Sequence, residues 1–393
     1  MLQTPAQNTE QRLRQIDEAR QFLVHDNQDN ARLLTEPWIA RSWQRCLASG
    51  LQPHQKVSFD MVSAQALRRS EEANQTLLAA ARPVLEKLGQ AIAATHYFAI
   101  LTNAAGTAID INGPIDHSDP RANAIARIGV DLSEQSVGTT AISAALTEMH
   151  PVWLHRGEHF FAGNAVYSCA GAPLFGPDGA LVGMLDLTGI EVTERPELKY
   201  LVAQSARSIE NALTLQRPHS LQVRLNWPGR QLGDETDGIV CLSAEGWVTG
   251  SNQAARQMVA QLGLFGPLGA SPREGAAPTH ASEIFAMPFE MLFDGAGQHG
   301  FAQKTIDVPL WSGLRLTATT QNHSGSDLLG RPSRAASAGV GTGVGEHQSL
   351  RDVETALIRK AVAQAKGNVM QAARALGISR ATVYRKLNSK PHH

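Results

Sequence analysis

The sequence predicts an α+β multidomain chain: a mixed α/β domain over 64–217, a smaller α/β unit over 225–322, and an all-α domain over 349–390. Three observations carry this. Apolar residues recur at helical spacing over 64–94 and 195–216, and between those stretches lie short apolar runs bounded by turn signals, which read as strands. The stretch "GSDLLGRPSRAASAGVGTGVGEH" (325–347) is rich in Gly, Ala and Ser and reads as a flexible linker over 323–348. From Leu350 onward nine basic side chains face two acidic ones, a net of +7, which leaves −8 for residues 1–349 of the chain's −1. A small basic module on an acidic body points to one nucleic-acid-binding unit on a different kind of scaffold.

The elements follow in order. Residues 1–63 read as an N-terminal helical leader. Within it "EPWIARSWQRCLASGL" (36–51) is a short helix with Trp38, Ile39, Ser42, Trp43 and Cys46 near one face, and Gly50 is its stop. A longer amphipathic helix spans 64–94. "HYFAILT" and "TAIDI", joined by "NAAG", form a hairpin, and "PVWLH", "SCAGAPLF" and "ALVGMLDLTG" are further strands, the last two joined by the turn "GPDG". Pro196 stands near the first turn of the helix over 195–216. "DGIVCLSAEGWVTGSNQAARQMVAQL" (237–262) reads as strand, turn, strand and helix, and 299–321 supplies closing strands.

Composition is that of a soluble globular protein, with 42% hydrophobic and 18% charged residues. Cys46, Cys169 and Cys241 are odd in number and far apart, so no disulfide framework is expected, which fits a reducing cytoplasm. The polar N-terminus does not read as a signal peptide. No apolar run approaches the ~18 residues of a membrane span, so a cytoplasmic protein without a membrane partner is expected.

At the tail, Val353, Leu357, Ile358, Ala361 and Val362 share one helical stripe that Gly367 ends. Asn368 caps a second helix, Gly377 supplies a turn, and Ser379 caps a third helix, "RATVYRKL". Val383 and Leu387 face the core with Ile378. Arg380, Thr382, Tyr384, Arg385 and Lys386 face outward. This is helix-turn-helix arithmetic, with Arg380 and Thr382 placed for base edges and Arg385 and Lys386 for phosphates. "GNVMQAARALGISRATVYRKL" resembles the Fis-type helix-turn-helix that closes bacterial enhancer-binding proteins. The resemblance implies a homodimer on an inverted-repeat operator in double-stranded DNA, with contacts from Ser379, Arg380, Thr382, Tyr384, Arg385 and Lys386.

The front resembles acetoin-catabolism-type regulators, in "EPWIARSWQRCLASGL", "SVGTTAISAALTEMHPVWLHRGEHFF" and "CAGAPLFGPDGALVGMLDLTG". The second and third of these are similar to a GAF sensor domain, which implies a small-molecule effector held between a sheet and a lid. An apolar lining with a few polar anchors is the physical requirement. Candidates are Phe98, Ile100, Trp153, His155, Phe160, Phe161, Tyr167, Cys169 and Met184, each also readable as plain core. His155, His159 and Cys169 raise the question of zinc, but no fourth ligand stands at a recognisable spacing, so no metal or other cofactor is expected.

Residues 225–322 resemble a PAS-like module, readable equally as a spacer that helps dimerise. Regulators of the sigma-54-dependent kind carry an AAA+ ATPase between sensor and tail. No G-x-x-x-x-G-K-[ST] occurs here, and "GVGTGVGEH" has no following lysine. The expectation is a ligand-sensing, sequence-specific transcriptional regulator without its own ATPase. It would act by blocking an operator or by contacting RNA polymerase or another regulator. The alternative is a Fis-like architectural or co-regulatory protein whose sensor domains mainly dimerise. No nucleophile elbow or paired carboxylates support an enzyme.

Overall fold

The "NAAG" turn closes the first hairpin as its residue types dictate. Asn103 Oδ1 accepts hydrogen bonds from the backbone N–H groups of Ala105 and Thr107, both at 3.0 Å. Gly106 takes a φ of +84°, which a side chain would strain. The computed structural model describes residues 5–24, 34–262, 279–294 and 305–323. The expected linker and helix-turn-helix lie outside the described residues.

The helices are α1 (Pro5–Val24), α2 (Pro37–Ala48), α3 (Ala64–Ala73), α4 (Gln75–Ile92), α5 (Pro120–Ile125), α6 (Glu134–Val137), α7 (Ala141–Glu148), α8 (Leu198–Leu215), α9 (Gln253–Met258), α10 (Ala281–Ile284) and α11 (Glu290–Asp294). The strands are β1 (Tyr97–Asn103), β2 (Ala108–Asn112), β3 (Val152–Leu154), β4 (Tyr167–Phe175), β5 (Leu181–Ile190), β6 (Leu221–Asn226), β7 (Gly238–Leu242), β8 (Val248–Ser251), β9 (Ile306–Pro309) and β10 (Arg315–Asn322). The stretch 64–94, expected as one helix, is two. It breaks at Asn74, whose side-chain amide donates to the Ser70 carbonyl at 2.7 Å.

The first sheet is antiparallel, in the order β2-β1-β5-β4-β3. Alternation divides it into two buried faces. Tyr97, Ala99, Leu101, Ala170, Ala172, Leu185 and Leu187 face α4 and α8. Phe98, Ile100, Cys169, Met184 and Leu154 face the other way, against Trp38 and Trp43 of α2, Ile16 of α1, and α7. The leader is therefore part of this domain's core. Its helix has the buried face the sequence predicts, with Trp38, Ile39, Ser42, Trp43 and Cys46 inside.

The second sheet runs β8-β7-β6-β10-β9, also antiparallel. Its central strand β6 begins at Leu221, so the expected start of this unit at 225 falls inside a strand. The stretch "LQVRLN" carries the apolar–polar alternation of a strand, a signal that the expected boundary at 225 overlooks. Leu221, Val223, Leu225, Val240, Leu242, Phe285, Leu292, Leu316 and Ala318 form its single apolar core. The two sheets share one spatial layout, except that the central strand comes last in the first sheet and first in the second.

The "GPDG" turn between β4 and β5 is held from the second domain. The Ser251 N–H donates to the Pro177 carbonyl at 2.9 Å. The Arg256 guanidinium donates to the Gly176 carbonyl at 3.2 Å and to the Pro177 carbonyl at 2.5 Å. Beside it, Glu210 of α8 accepts from the Phe175 N–H at 2.9 Å. Burial pushes the Glu210 carboxyl up to about 7, and desolvation pulls Arg256 down to about 10.

Candidate functional site

Two rows of side chains cross the inner face of the first sheet. Register aligns Phe98, Thr188, Cys169 and Leu154 across β1, β5, β4 and β3. The next row is Ile100, Asp186, Gly171 and Val152. Gly171 has no side chain because none fits: a Cβ there would stand 2.7 Å from Met184 Cε and 2.8 Å from the Ala141 carbonyl oxygen. The first residue of α7 thus rests directly on the sheet beside Asp186. Helix α7 starts there because "TTAIS" supplies a reciprocal cap. Thr140 Oγ1 accepts from the Ser143 N–H at 3.1 Å, and Ser143 Oγ accepts from the Thr140 N–H at 2.9 Å.

Over this face lies a lid, residues 155–166, built of two 3-10 turns. Gly138, at φ +66°, touches Phe160 and Phe161 so closely that a Cβ would clash at 2.9 and 3.0 Å. The lid is clamped from outside. Arg20 of α1 donates to the carbonyls of Gly157 (2.8 Å), Phe160 (3.1 Å) and His159, and it lies 4.8 Å over the Trp43 ring. Arg12 pairs with Glu158, and the Trp43 indole donates to the Glu158 carbonyl at 2.8 Å.

Sheet and lid enclose a cavity of about 10 Å³, lined among others by Thr140, Ile142, His159, Tyr167, Cys169 and Thr188. That is room for about one water. His159 Nδ1 donates to the Arg156 carbonyl at 2.9 Å. A carbonyl only accepts, so Nδ1 carries the hydrogen and Nε2 is an acceptor. The Cys169 thiol lies 3.7 Å from that Nε2 and 3.5 Å from Thr188 Oγ1. Burial drives the His159 imidazole down to about 4 and the Cys169 thiol well up, so both are neutral. The Thr188 hydroxyl donates to Asp186 Oδ2. Burial pushes the Asp186 carboxyl up to about 7, and its Oδ1 has no hydrogen-bond partner.

Of the residues expected to line an effector pocket, Phe98, Ile100, Phe160, Phe161, Tyr167, Cys169 and Met184 share this buried face. Trp153 does not. Strand alternation turns it to the opposite face, where it packs with the α4–α8 cluster. His155 also lies apart: its Nε2 stands 2.9 Å from Glu194 Oε2, in an outer cleft shared with Trp38 and Lys199. Among the described residues, no group of three or more His, Cys, Asp or Glu side chains is placed to hold a metal. Ser379, Arg380, Thr382, Tyr384, Arg385 and Lys386 lie outside the described residues. The sequence reading missed Asp186 and Thr188. In "GMLDLTG" they alternate with Leu185 and Leu187, a pattern that normally marks a solvent face.

Residues 349–389 match the family described as bacterial regulatory protein, Fis family. The tail belongs to the Fis family. Residues 19–211 match the N-terminal domain of MimR. The acetoin catabolism regulatory protein of Cupriavidus necator is 28% identical over 270 residues, covering 67% of this chain and 38% of that protein. The propane 2-monooxygenase operon transcriptional activator MimR of Mycolicibacterium smegmatis is 27% identical over 179 residues, covering 44% of this chain and 29% of that protein. A crystal structure of the E. coli DhaR(N)–DhaL complex aligns at a TM-score of 0.43 and 15% identity, over 73% of this chain and 100% of that one. The matches span about a third of the length of the curated relatives, 38% and 30% for the first two. Among the described residues no helix is long and apolar enough to cross a membrane.

Proposed function

We propose that this chain is a sequence-specific transcriptional regulator whose first domain senses a small molecule and which acts without an ATPase of its own. The observation that carries the reading is the pairing of a Fis-family tail with a small cavity whose lining sets His159, Cys169 and Thr188 among apolar residues. Relatives named for acetoin catabolism and for a propane 2-monooxygenase operon support a small effector, for which the cavity would have to widen. Strands β4 and β5 both floor the cavity, and the turn that joins them is the one Arg256 grips. A ligand that spreads these strands would be felt in the second domain, and a homodimer would convert that shift into a change in half-site spacing on an inverted repeat. The regulator would then block an operator or contact RNA polymerase or another regulator.

Genome-wide binding with and without a panel of small alcohols, hydroxyketones and aromatics tests this. A few palindromic sites whose occupancy responds to one compound support it. Unresponsive, broadly spread binding favours the second reading, a Fis-like architectural protein whose front domains mainly dimerise. The small size of the cavity speaks for that alternative. The Arg380→Ala, Arg385→Ala pair should abolish operator binding while the circular dichroism of the front domains stays unchanged. Retained binding would refute the placement of the third helix in the groove.

A further inference from the structure

Between the two domains lies a cleft of about 300 Å³, at the lower end of the range that holds small-molecule ligands. One face of α8 floors it. Ala203, Ala206, Arg207 and Glu210 recur there at helical spacing, and the two alanines hollow the middle. The first domain supplies a wall with Met149, Pro151, Pro173 and Phe175. The second domain supplies another with Trp227, Gln253 and Met258. Phe175 immediately precedes the turn that Arg256 grips, so the cleft lies at the joint.

The ionisable groups on this lining are not equally engaged. Glu210 accepts from the Phe175 N–H at 2.9 Å, and burial holds its carboxyl up at about 7, so it is only about half ionised at neutral pH. Glu235 is exposed, and the Gln204 amide donates to its carboxylate at 3.3 Å. Arg207 is exposed and makes no hydrogen bond or ion pair among the described residues. The Trp227 indole is 40% exposed, and its N–H has no acceptor among the described residues. A guanidinium and an indole N–H only donate. The spare capacity of the cleft is therefore a cation and a donor, set with a flat aromatic face among apolar side chains.

We propose that this cleft binds a small organic carboxylate with a planar apolar body, the carboxylate meeting Arg207 and the body packing on Trp227 and Ala203. The site stands apart from the cavity under the lid, and neither requires the other. The guanidinium offers a carboxylate two parallel N–H groups. An ammonium would meet Arg207 as a like charge, and a neutral amide of the same shape would keep the packing and lose the charge. Because both domains wall the cleft, a bound molecule adds contacts across the joint and favours the docked arrangement.

The test uses the full chain and three probes of similar shape: benzoate, benzamide and benzylamine. Titration followed by saturation-transfer NMR should rank benzoate about three- to tenfold tighter than benzamide, the effect of a charge-assisted bond at a cation still partly open to water. Benzylamine should bind most weakly. Arg207→Gln keeps most of the side-chain length and removes the charge, so benzoate and benzamide should come level. Ala203→Leu fills the hollow and should weaken both. Arg207 is exposed, so its variant keeps the test decisive if Ala203→Leu fails to fold. Benzoate should also raise the melting temperature of wild type more than that of Arg207→Gln. Equal binding of benzoate and benzamide, tighter binding of benzylamine, a preference that survives Arg207→Gln, undiminished affinity in folded Ala203→Leu, or no binding of any probe each overturns the proposal. Operator occupancy with the compound panel is read separately, so sensing under the lid stands or falls on its own.

Discussion

The two five-stranded sheets of this chain share a layout and differ in what they bury. The second sheet gathers most of its apolar residues into one core on a single face, and that core is aliphatic and aromatic throughout. Its other face meets the end of α8, where the Cys241 thiol donates to the Thr214 carbonyl at 3.5 Å. The first sheet is covered on both faces, and one of them carries Asp186, Thr188 and Cys169 under a clamped lid that supplies His159. Burying such groups costs stability that leucines would not. The second domain buries polar groups too, among them Asp237, Asn252 and Thr320, but they lie outside its apolar core, whereas the first sheet sets its polar groups within the core under the lid.

The largest expected effect breaks the apolar side of this contrast. Phe285 is completely buried in the second core. Phe285→Ala should destabilise the second domain by ~3–5 kcal/mol, as core aromatic truncations do, while the first domain's melting transition persists in calorimetry. A variant with an unchanged melting profile would show that this core does not support the second sheet.

Asp186→Asn sharpens the contrast in the other direction. The folded carboxyl titrates near 7, above its ordinary value of 3.8. Its contribution to stability is present below about pH 4 and is lost as pH rises through about 7, because over that window the folded state holds the proton that the unfolded state releases. The asparagine variant should therefore match wild type near pH 4 and exceed it near pH 8 by ~2–4 kcal/mol. Urea denaturation at the two pH values reads this. Glu210 titrates near 7 for the same reason, so the variant keeps part of the slope. His159, held down to about 4, works with the opposite sign and lowers stability as pH falls from about 6.5 toward 4.

The joint between the sheets comes next. Arg256→Ala removes the cation from the Gly176 and Pro177 carbonyls and should cost ~1.5–3 kcal/mol. Two separated transitions in place of a coupled one would mark uncoupling of the domains. The smallest effect concerns the thiols. Burial pushes Cys46 up to about 11, Cys241 up to about 12 and Cys169 well above the ordinary range. Iodoacetamide should label the native chain far more slowly than the urea-unfolded chain. Rapid labelling of Cys169 alone would show that the lid opens readily.

Much of the first domain was legible because its signals are local. The turn at "GPDG" and the buried stripe of α2 each lie within a few residues, and each appears where the sequence put it. Two features were not. The strand "LQVRLN" is central only because strands far along the chain, β7 and β10, pair on either side of it. Trp153 and His155 sit beside a pocket wall in sequence, yet strand alternation and Glu194 take them elsewhere.

The chain's order of residues alone determined the element types, the apolar faces and the Fis-family tail, because helix period, turn chemistry and capping act over a few residues. Tertiary structure decided which alternating face met solvent and which met a lid. Asp186 and Thr188 read as surface residues until α7 and the 155–166 segment close over them, since burial depends on partners that are remote in sequence.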